Sequence, residues 1–317
     1  MAGRIRKIAR RSFLVGSVAI AGGVAFGVYK WREVPPNPLE PADGAIPLNP
    51  YVVITREGVM IITPKAEMGQ GVQSTWAALA AEELDVEWED ISVLHGPPAQ
   101  AYFNSALFGE AVPGLAYKVG PTGAYIRDLA GGGAKLLSLQ LTGDSTSTRD
   151  GYEKMRMAGA TARETLKIVA ARRLGVGLGE LSTTSGEVIA RDGRRISYAE
   201  LAEEAASIEP PKVELCDPSQ WRYLGKTMPR LDMIPKVTGK AQYAIDVRLP
   251  GMKFATVRMN PRRTDMISYD ASVALAMEGV EQVIDLGSGI AVVARNTWIA
   301  FQAAEAVEIV WGEPAYP

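Results

Sequence analysis

Short β-branched runs alternate along this chain with segments of helical spacing. Residues 51–55 and 59–63 are rich in Val, Ile and Thr around Glu57-Gly58, the pattern of a hairpin. Trp76, Leu79, Ala80 and Leu84 then fall near helical spacing, which predicts a helix over residues 73–84. Residues 91–94 read as a short strand. Residues 96–123 are rich in Gly, Pro and aromatics and carry little periodicity. Two helices follow, over 124–139, where Gly131-Gly132-Gly133 weakens the middle, and over 151–174. Residues 183–196 read as two strands around Arg191-Asp192-Gly193, and residues 198–206 as a short helix.

Proline punctuates this pattern twice. Pro35, Pro36, Pro38, Pro41, Pro47 and Pro50 crowd residues 34–50, which reads as an extended linker. Glu209-Pro210-Pro211 and the polar stretch to Asp217-Pro218 mark a second linker over 209–222. Beyond it, residues 241–245 and 254–259 read as strands about Pro250-Gly251. Residues 271–277 read as a helix, 280–286 and 290–294 as strands, 298–306 as a helix and 307–311 as a strand. The fold class is therefore α+β, with one domain over 51–208 and a smaller α/β domain over 223–317.

The first segment reads as an address. Residues 1–12 carry Arg4, Arg6, Lys7, Arg10 and Arg11 with no acid, and residues 13–28 carry no charge. That is the layout of an export signal, and Arg10-Arg11 followed by Ser12-Phe13-Leu14 resembles the twin-arginine motif. The alternative is a plain membrane anchor, although the uncharged run is shorter than the roughly 20 residues that span a bilayer. Residues 1–33 are accordingly expected to direct the chain to the periplasm, cleaved near Ala25-Phe26-Gly27 or retained as a tether.

Composition narrows the chemistry. Lys+Arg 34 against Asp+Glu 36 gives a net charge of -2, so no basic surplus points to nucleic acid. Cys216 is the one cysteine and His95 the one histidine. The chain cannot ligate an iron–sulfur cluster, and a zinc site built on Cys and His is out of reach. Any redox or metal chemistry must enter with an organic or preassembled cofactor, or with another chain.

Two segments could hold such a cofactor. In Glu67-Met68-Gly69-Gln70-Gly71 the glycines admit close backbone approach, the Gln70 amide both donates and accepts, and the helix behind offers free N–H groups to an anion. A plain turn before a helix would look the same. The second is Thr142-Gly143-Asp144-Ser145-Thr146-Ser147-Thr148-Arg149-Asp150, a hydroxyl-rich loop opening the next helix. Ser147 with Asp150 fits a capping box, and the surplus hydroxyls beside Arg149 suit a pyrophosphate. Arg156 and Arg163, farther along, read as a solvated helix face.

The whole pattern resembles a known family. Residues 67–73, with Ala81-Glu82-Glu83-Leu84-Asp85 behind them, resemble the Met-Gly-Gln-Gly segment of molybdopterin-binding large subunits of the xanthine dehydrogenase/aldehyde oxidase family. The hydroxyl loop and the Met-Arg-x-Ala-Gly-Ala run after it resemble that family's next cofactor-contacting segment. Leu224-Gly225-Lys226, Pro229-Arg230-Leu231-Asp232, residues 235–241 and residues 246–252 resemble the entry to its α/β hammerhead domain. The likeness covers residues 51–312 and is nearest the branch typified by isoquinoline 1-oxidoreductase and periplasmic aldehyde dehydrogenases.

The resemblance implies a molybdopterin-binding-domain segment followed by a hammerhead domain. It implies a molybdenum–molybdopterin cofactor, in its cytosine dinucleotide form, held in part by Met68, Gly69, Gln70, Gly71, Gly143, Ser145, Thr146 and Ser147. It implies oxidation of aldehydes or N-heterocycles with water as oxygen source. Electrons would pass to a 2Fe-2S small subunit and onward to a cytochrome c. In the family the catalytic glutamate and the main cofactor domain follow the hammerhead. No residue here is therefore nominated as catalytic base or metal ligand, Glu67, Glu82 and Glu83 included, and a further polypeptide is expected to complete the site. The other reading is a noncatalytic cofactor-binding or assembly protein.

Overall fold

A computed structural model describes residues 33–109, 112 and 120–314, so the export segment lies outside the described residues apart from Glu33. One compact unit runs to Lys240 and a second begins at Ala241, a later division than the expected start at residue 223.

The first unit opens with strands β1 (Ala45–Asn49), β2 (Val52–Thr55) and β3 (Gly58–Thr63), paired antiparallel in sequence order. Helix α1 (Val72–Leu84) crosses over to β4 (Ile91–His95), which runs parallel to β3. The β1 strand corrects the expectation of a linker over residues 34–50. Its Pro47 is tolerated because β1 forms the sheet edge, where a missing N–H breaks no ladder. Ile54 and Ile61 from one face of the sheet and Ile62 from the other join a single buried core with Trp76, Leu79 and Leu84 of α1. Each such fully buried side chain contributes about 1.5–3 kcal/mol.

After α2 (Ala106–Gly109) comes α3 (Pro121–Leu136), which starts earlier than expected because Pro121 occupies its first turn, where no N–H is needed. The glycine triplet does not break α3. A Cβ on Gly131 would meet the Ser105 carbonyl oxygen at 2.7 Å, so contact with the preceding segment requires glycine there. Helix α4 (Ser147–Leu174) ends on Gly175 in the left-handed region at φ 69°, its N–H closing on the Ala171 carbonyl.

α1 and α4 pack side by side and parallel. Trp76 meets Ser147 and Gly151, Ala80 meets Gly159, and the Glu83 carbonyl accepts from Arg163, so position rises together along both helices. Gly151 and Gly159 permit this contact. A Cβ on either would stand 2.2 Å from the Trp76 ring or 2.3 Å from the Ala80 carbonyl oxygen. Both helices therefore begin at the same end.

Three antiparallel strands follow, β5 (Leu181–Thr184), β6 (Glu187–Ala190) and β7 (Arg195–Ser197), where two were expected. The extra turn is Ser185-Gly186, at φ 48° and 74°, the left-handed pair that a tight hairpin uses. Helix α5 (Tyr198–Ala205) starts on a Ser197/Glu200 capping box.

The expected linker over 209–222 is strapped down rather than free. Glu82 is buried and accepts from three successive backbone N–H groups, those of Arg222, Tyr223 and Leu224, at 2.7, 2.8 and 3.0 Å. Glu83, also buried, accepts from the Cys216 N–H at 3.0 Å and pairs with Arg156 at 2.7 Å. The solvated-face reading of Arg156 and Arg163 is corrected by the same contacts: Arg156 is 6% exposed, and Arg163 donates to the Glu83 carbonyl at 2.6 Å. The unit closes with α6 (Met233–Val237).

The second unit holds β8 (Phe254–Met259), β9 (Met266–Asp270), α7 (Ser272–Leu275), β10 (Val280–Asp285), β11 (Gly289–Ala294), α8 (Thr297–Ala306) and β12 (Glu308–Trp311). Its sheets, β10-β11-β8 and β12-β9, are antiparallel. Ala303 and Ala304 of α8 pack with Ile290 and Val292 of β11. Two details depart from expectation. Residues 241–245 form no strand, because Ala244–Asp246 turns as a short 3-10 helix, and β9 had no counterpart in the sequence reading. Mixed helices and sheets in both units make the fold α+β.

Candidate functional site

The structure brings the two sequence motifs together. The end of β3 continues into residues 64–66, which pair with residues 140–142. Lys65 Nζ donates to the Leu141 carbonyl at 3.0 Å, the Ala66 N–H to Thr142 Oγ1 at 2.9 Å, and Gln140 Nε2 to the Pro64 carbonyl at 3.2 Å. Because α1 and α4 are parallel, the loop before each helix lies at the same end, and these bonds join the loops edge to edge.

The first loop is held from within. Glu67 Oε1 accepts from the N–H groups of Gly69 and Gly71 at 2.8 and 3.0 Å, and Oε2 from that of Gln73 at 3.2 Å. The sequence reading offered the α1 N–H groups to an external anion. The structure corrects that, because the chain's own carboxylate already occupies this positive end. Burial works to raise the Glu67 pKa, but the three N–H groups and Arg230 outweigh it and hold the carboxyl below its ordinary value. Gln70 also turns inward: its Oε1 accepts from the Met68 N–H at 2.6 Å and its Nε2 donates to the Ala66 carbonyl at 2.8 Å. The open part of the loop is Met68–Gly69. Met68 is 72% exposed, and a Cβ on Gly69 would meet nothing within 4 Å.

Arg230, which the sequence reading assigned only to the hammerhead entry, locks this loop from outside. Its guanidinium donates to the Gly69 carbonyl at 2.7 Å and to Glu67 at 3.1 Å, and pairs with Asp232 at 2.7 Å. Arg230 and Lys236 hold the Asp232 carboxyl down at about 2. No local spacing in the sequence links Glu67 to Arg230.

In the second loop the four nominated residues divide. Thr146 is fully buried; its hydroxyl donates to the Gly143 carbonyl at 2.7 Å and accepts from Asn104 Nδ2 at 2.8 Å. It positions the loop and is turned away from solvent. Ser145 is exposed, and Gly143 and Ser147 are half-buried. The expected Ser147/Asp150 capping box is absent: no side chain caps α4. Asp150 points inward instead, accepting from Ser105 and pairing with Lys65 and Lys154, since a buried ammonium competes for a carboxylate better than an exposed N–H does. The first turn of α4 therefore keeps its uncapped, positive end beside Ser145 and Ser147, an arrangement that suits a phosphate group.

Among the described residues, no group of three or more His, Cys, Asp or Glu side chains is placed to hold a metal ion, and no helix is long and apolar enough to cross a membrane.

No family model matches the chain. It is 28% identical over 348 residues to isoquinoline 1-oxidoreductase subunit beta of Brevundimonas diminuta, an alignment covering 96% of this chain and 40% of that protein. It is 23% identical to the membrane-bound aldehyde dehydrogenase of Gluconacetobacter polyoxogenes over 96% of this chain and 37% of the relative, whose name gives pyrroloquinoline quinone as cofactor. Over 66 residues, 20% of this chain and 16% of the relative, it is 38% identical to the nicotinate dehydrogenase large molybdopterin subunit of Eubacterium barkeri. The chain is thus related to the molybdopterin-binding subunits of the xanthine dehydrogenase family. It spans about two-fifths of the length of the first two of these relatives.

Proposed function

We propose that this chain supplies the cofactor-domain segment and an α/β hammerhead domain to the large subunit of a molybdenum hydroxylase. The observation that carries the proposal is the joining of the two loops at one end of a parallel helix pair, with Met68–Gly69 and the uncapped start of α4 open to a ligand.

The residues fit a molybdopterin dinucleotide, and they do so unequally. Ser145, Ser147 and the first turn of α4 would hold the pyrophosphate, with the cytosine form as the proposed nucleotide. Met68 and Gly69 would lie against the pterin, while Glu67, Gln70, Arg230 and Thr146 keep the two loops in shape. The bound group supplies oxidation of aldehydes or N-heterocycles with water as oxygen source. Its electrons would leave to a 2Fe-2S subunit and then a cytochrome c, and a further polypeptide would complete the site.

The test is the content of the complex purified from cells that express this chain together with the subunits proposed to assemble with it. Molybdenum and cytosine nucleotide in near-equal amounts to protein are expected. Bound pyrroloquinoline quinone without molybdenum would overturn the proposal. Export to the periplasm, with retention at the membrane where the signal is uncleaved, is proposed on Arg10-Arg11 and the uncharged run after it. Replacing both arginines by lysine should leave the chain in the cytoplasm, and unchanged export would sink that reading.

A further inference from the structure

Beneath the two loops, where Lys65 precedes the first and Asp150 ends the second, one cluster holds more positive charge than its partners balance. Lys65 is wholly buried, and the Lys154 side chain is 21% exposed. Both address a single carboxylate, Asp150. Asp150 Oδ1 accepts from the Ser105 N–H and Oγ at 2.8 Å and from Lys154 Nζ at 2.6 Å, while Oδ2 stands 3.0 Å from Lys65 Nζ. Each ammonium also donates to a carbonyl, Lys65 to Leu141 and Lys154 to Phe103, and Lys154 lies 4.2 Å from the Phe103 ring centre. Carbonyls and rings satisfy hydrogen bonds but carry no opposing charge. Two cations therefore share one anion in a region largely closed to water, where unbalanced charge is costly.

The exposed side of Lys154 opens into a cleft of about 470 Å³ between α3 and the first turns of α4. Phe103, Ser105, Gly131, Gly132, Lys154 and Met157 form its wall. Among the described residues, the other charged groups facing it are Asp128 and Lys135 from α3 and Arg149 and Glu153 from α4, two acids against two bases. The surplus therefore remains that of Lys65, Lys154 and Asp150. None of the eight loop residues nominated for the cofactor lines this cleft.

We propose that the cleft is a binding site for a small, compact oxyanion, with Lys154 as its charged contact and Lys65 and Asp150 as the buried base that holds Lys154 in place. The ligand class is a phosphate or pyrophosphate group or a short dicarboxylate. The cleft takes Arg149 and Asp150 from the end of the second loop but none of the residues nominated for the cofactor, and the proposal goes beyond the cofactor reading. The cluster has one other route to neutrality, release of a proton from a lysine. Burial favours it by lowering the Lys65 and Lys154 pKa values, and Asp150 opposes it.

Isothermal titration of the full chain with inorganic phosphate, pyrophosphate and succinate, at physiological salt, separates these outcomes. One anion per chain is expected at neutral pH, with weaker binding in alkali as the lysines lose their protons. Lys154→Met should weaken it at least about tenfold, the range of one charge-assisted contact. Met157→Glu places a negative charge at the wall, leaves the cluster intact, and should weaken it likewise; this variant decides if Lys154→Met fails to fold. Lys167→Met removes the same charge from α4 at a site paired with Glu164 and should leave binding unchanged. The rank order of the three anions assigns the ligand to the phosphates or the carboxylates. No saturable binding of any of them, an equal loss in Lys167→Met, or wild-type affinity in Met157→Glu would overturn the proposal.

Discussion

Trp76 Nε1 donates to the main-chain carbonyl of Ser147 at 3.1 Å, tying the second turn of α1 to the first residue of α4. With the Gly151 and Gly159 contacts, this bond holds the two helix starts level. The loops before them meet only because the helices do.

Gly151→Ala tests that packing. The new methyl would need space now held by the indole ring of Trp76, whose nearest atom is 2.2 Å from the ideal Cβ position. Overpacking of this kind costs about 1–3 kcal/mol, so the midpoint of urea unfolding should fall clearly. Gly179→Ala, at a site with nothing within 4 Å, should leave it nearly unchanged. Equal midpoints for the two variants would contradict the parallel contact.

Glu67 gives a prediction in pH. Its folded pKa lies below its unfolded value, so its charge stabilises the fold above the ordinary glutamate pKa of about 4.3, and that contribution fades as pH falls through the folded value. Glu67→Gln should therefore be less stable than the parent at neutral pH, by about 1 kcal/mol for a lost helix-end cap. The gap should close on acidification. A gap that stays constant from neutral pH into the acid range would show that the Glu67 charge does not hold the loop.

The strap over Glu82 and Glu83 predicts the behaviour of Cys216. Burial first, and then the Glu83 carboxylate, raises the pKa of this thiol. Glu83→Gln weakens the anchor of Cys216 and its pairing with Arg156, a buried charge whose isolation costs about 3–5 kcal/mol. Disulfide-exchange labelling of Cys216 should accelerate, together with proteolysis between Glu209 and Arg222. Unchanged labelling would mean that the segment is held by other contacts.

The legibility of the fold followed the range of the interactions. α1, α4 and the β2–β3 hairpin were readable because periodicity and turn residues act within a few positions. β1 was missed because the prolines around it argue against a strand, and only its place at the sheet edge makes Pro47 acceptable. The loops were found by their glycines and hydroxyls, but not what fills them. Glu67 takes the N–H groups offered by α1, Lys65 draws Asp150 away from a cap, and Arg230 arrives from far along the chain. Those pairings depend on the tertiary fold and leave no local pattern.

The most direct test of the central claim is the molybdenum and nucleotide content of the assembled complex carrying Ser145→Ala with Ser147→Ala, set beside Thr146→Ala. If the open hydroxyls hold the pyrophosphate, the double serine variant should retain its melting temperature and lose cofactor affinity. Each hydrogen bond to a charged group contributes about 1.5–3 kcal/mol, roughly one to two orders of magnitude in affinity. Thr146→Ala, which breaks the buried bond from Asn104, should instead lower the melting temperature. Full molybdenum and nucleotide content in the double serine variant, with loss only in the destabilised Thr146→Ala protein, would contradict the assignment of this loop as a cofactor site.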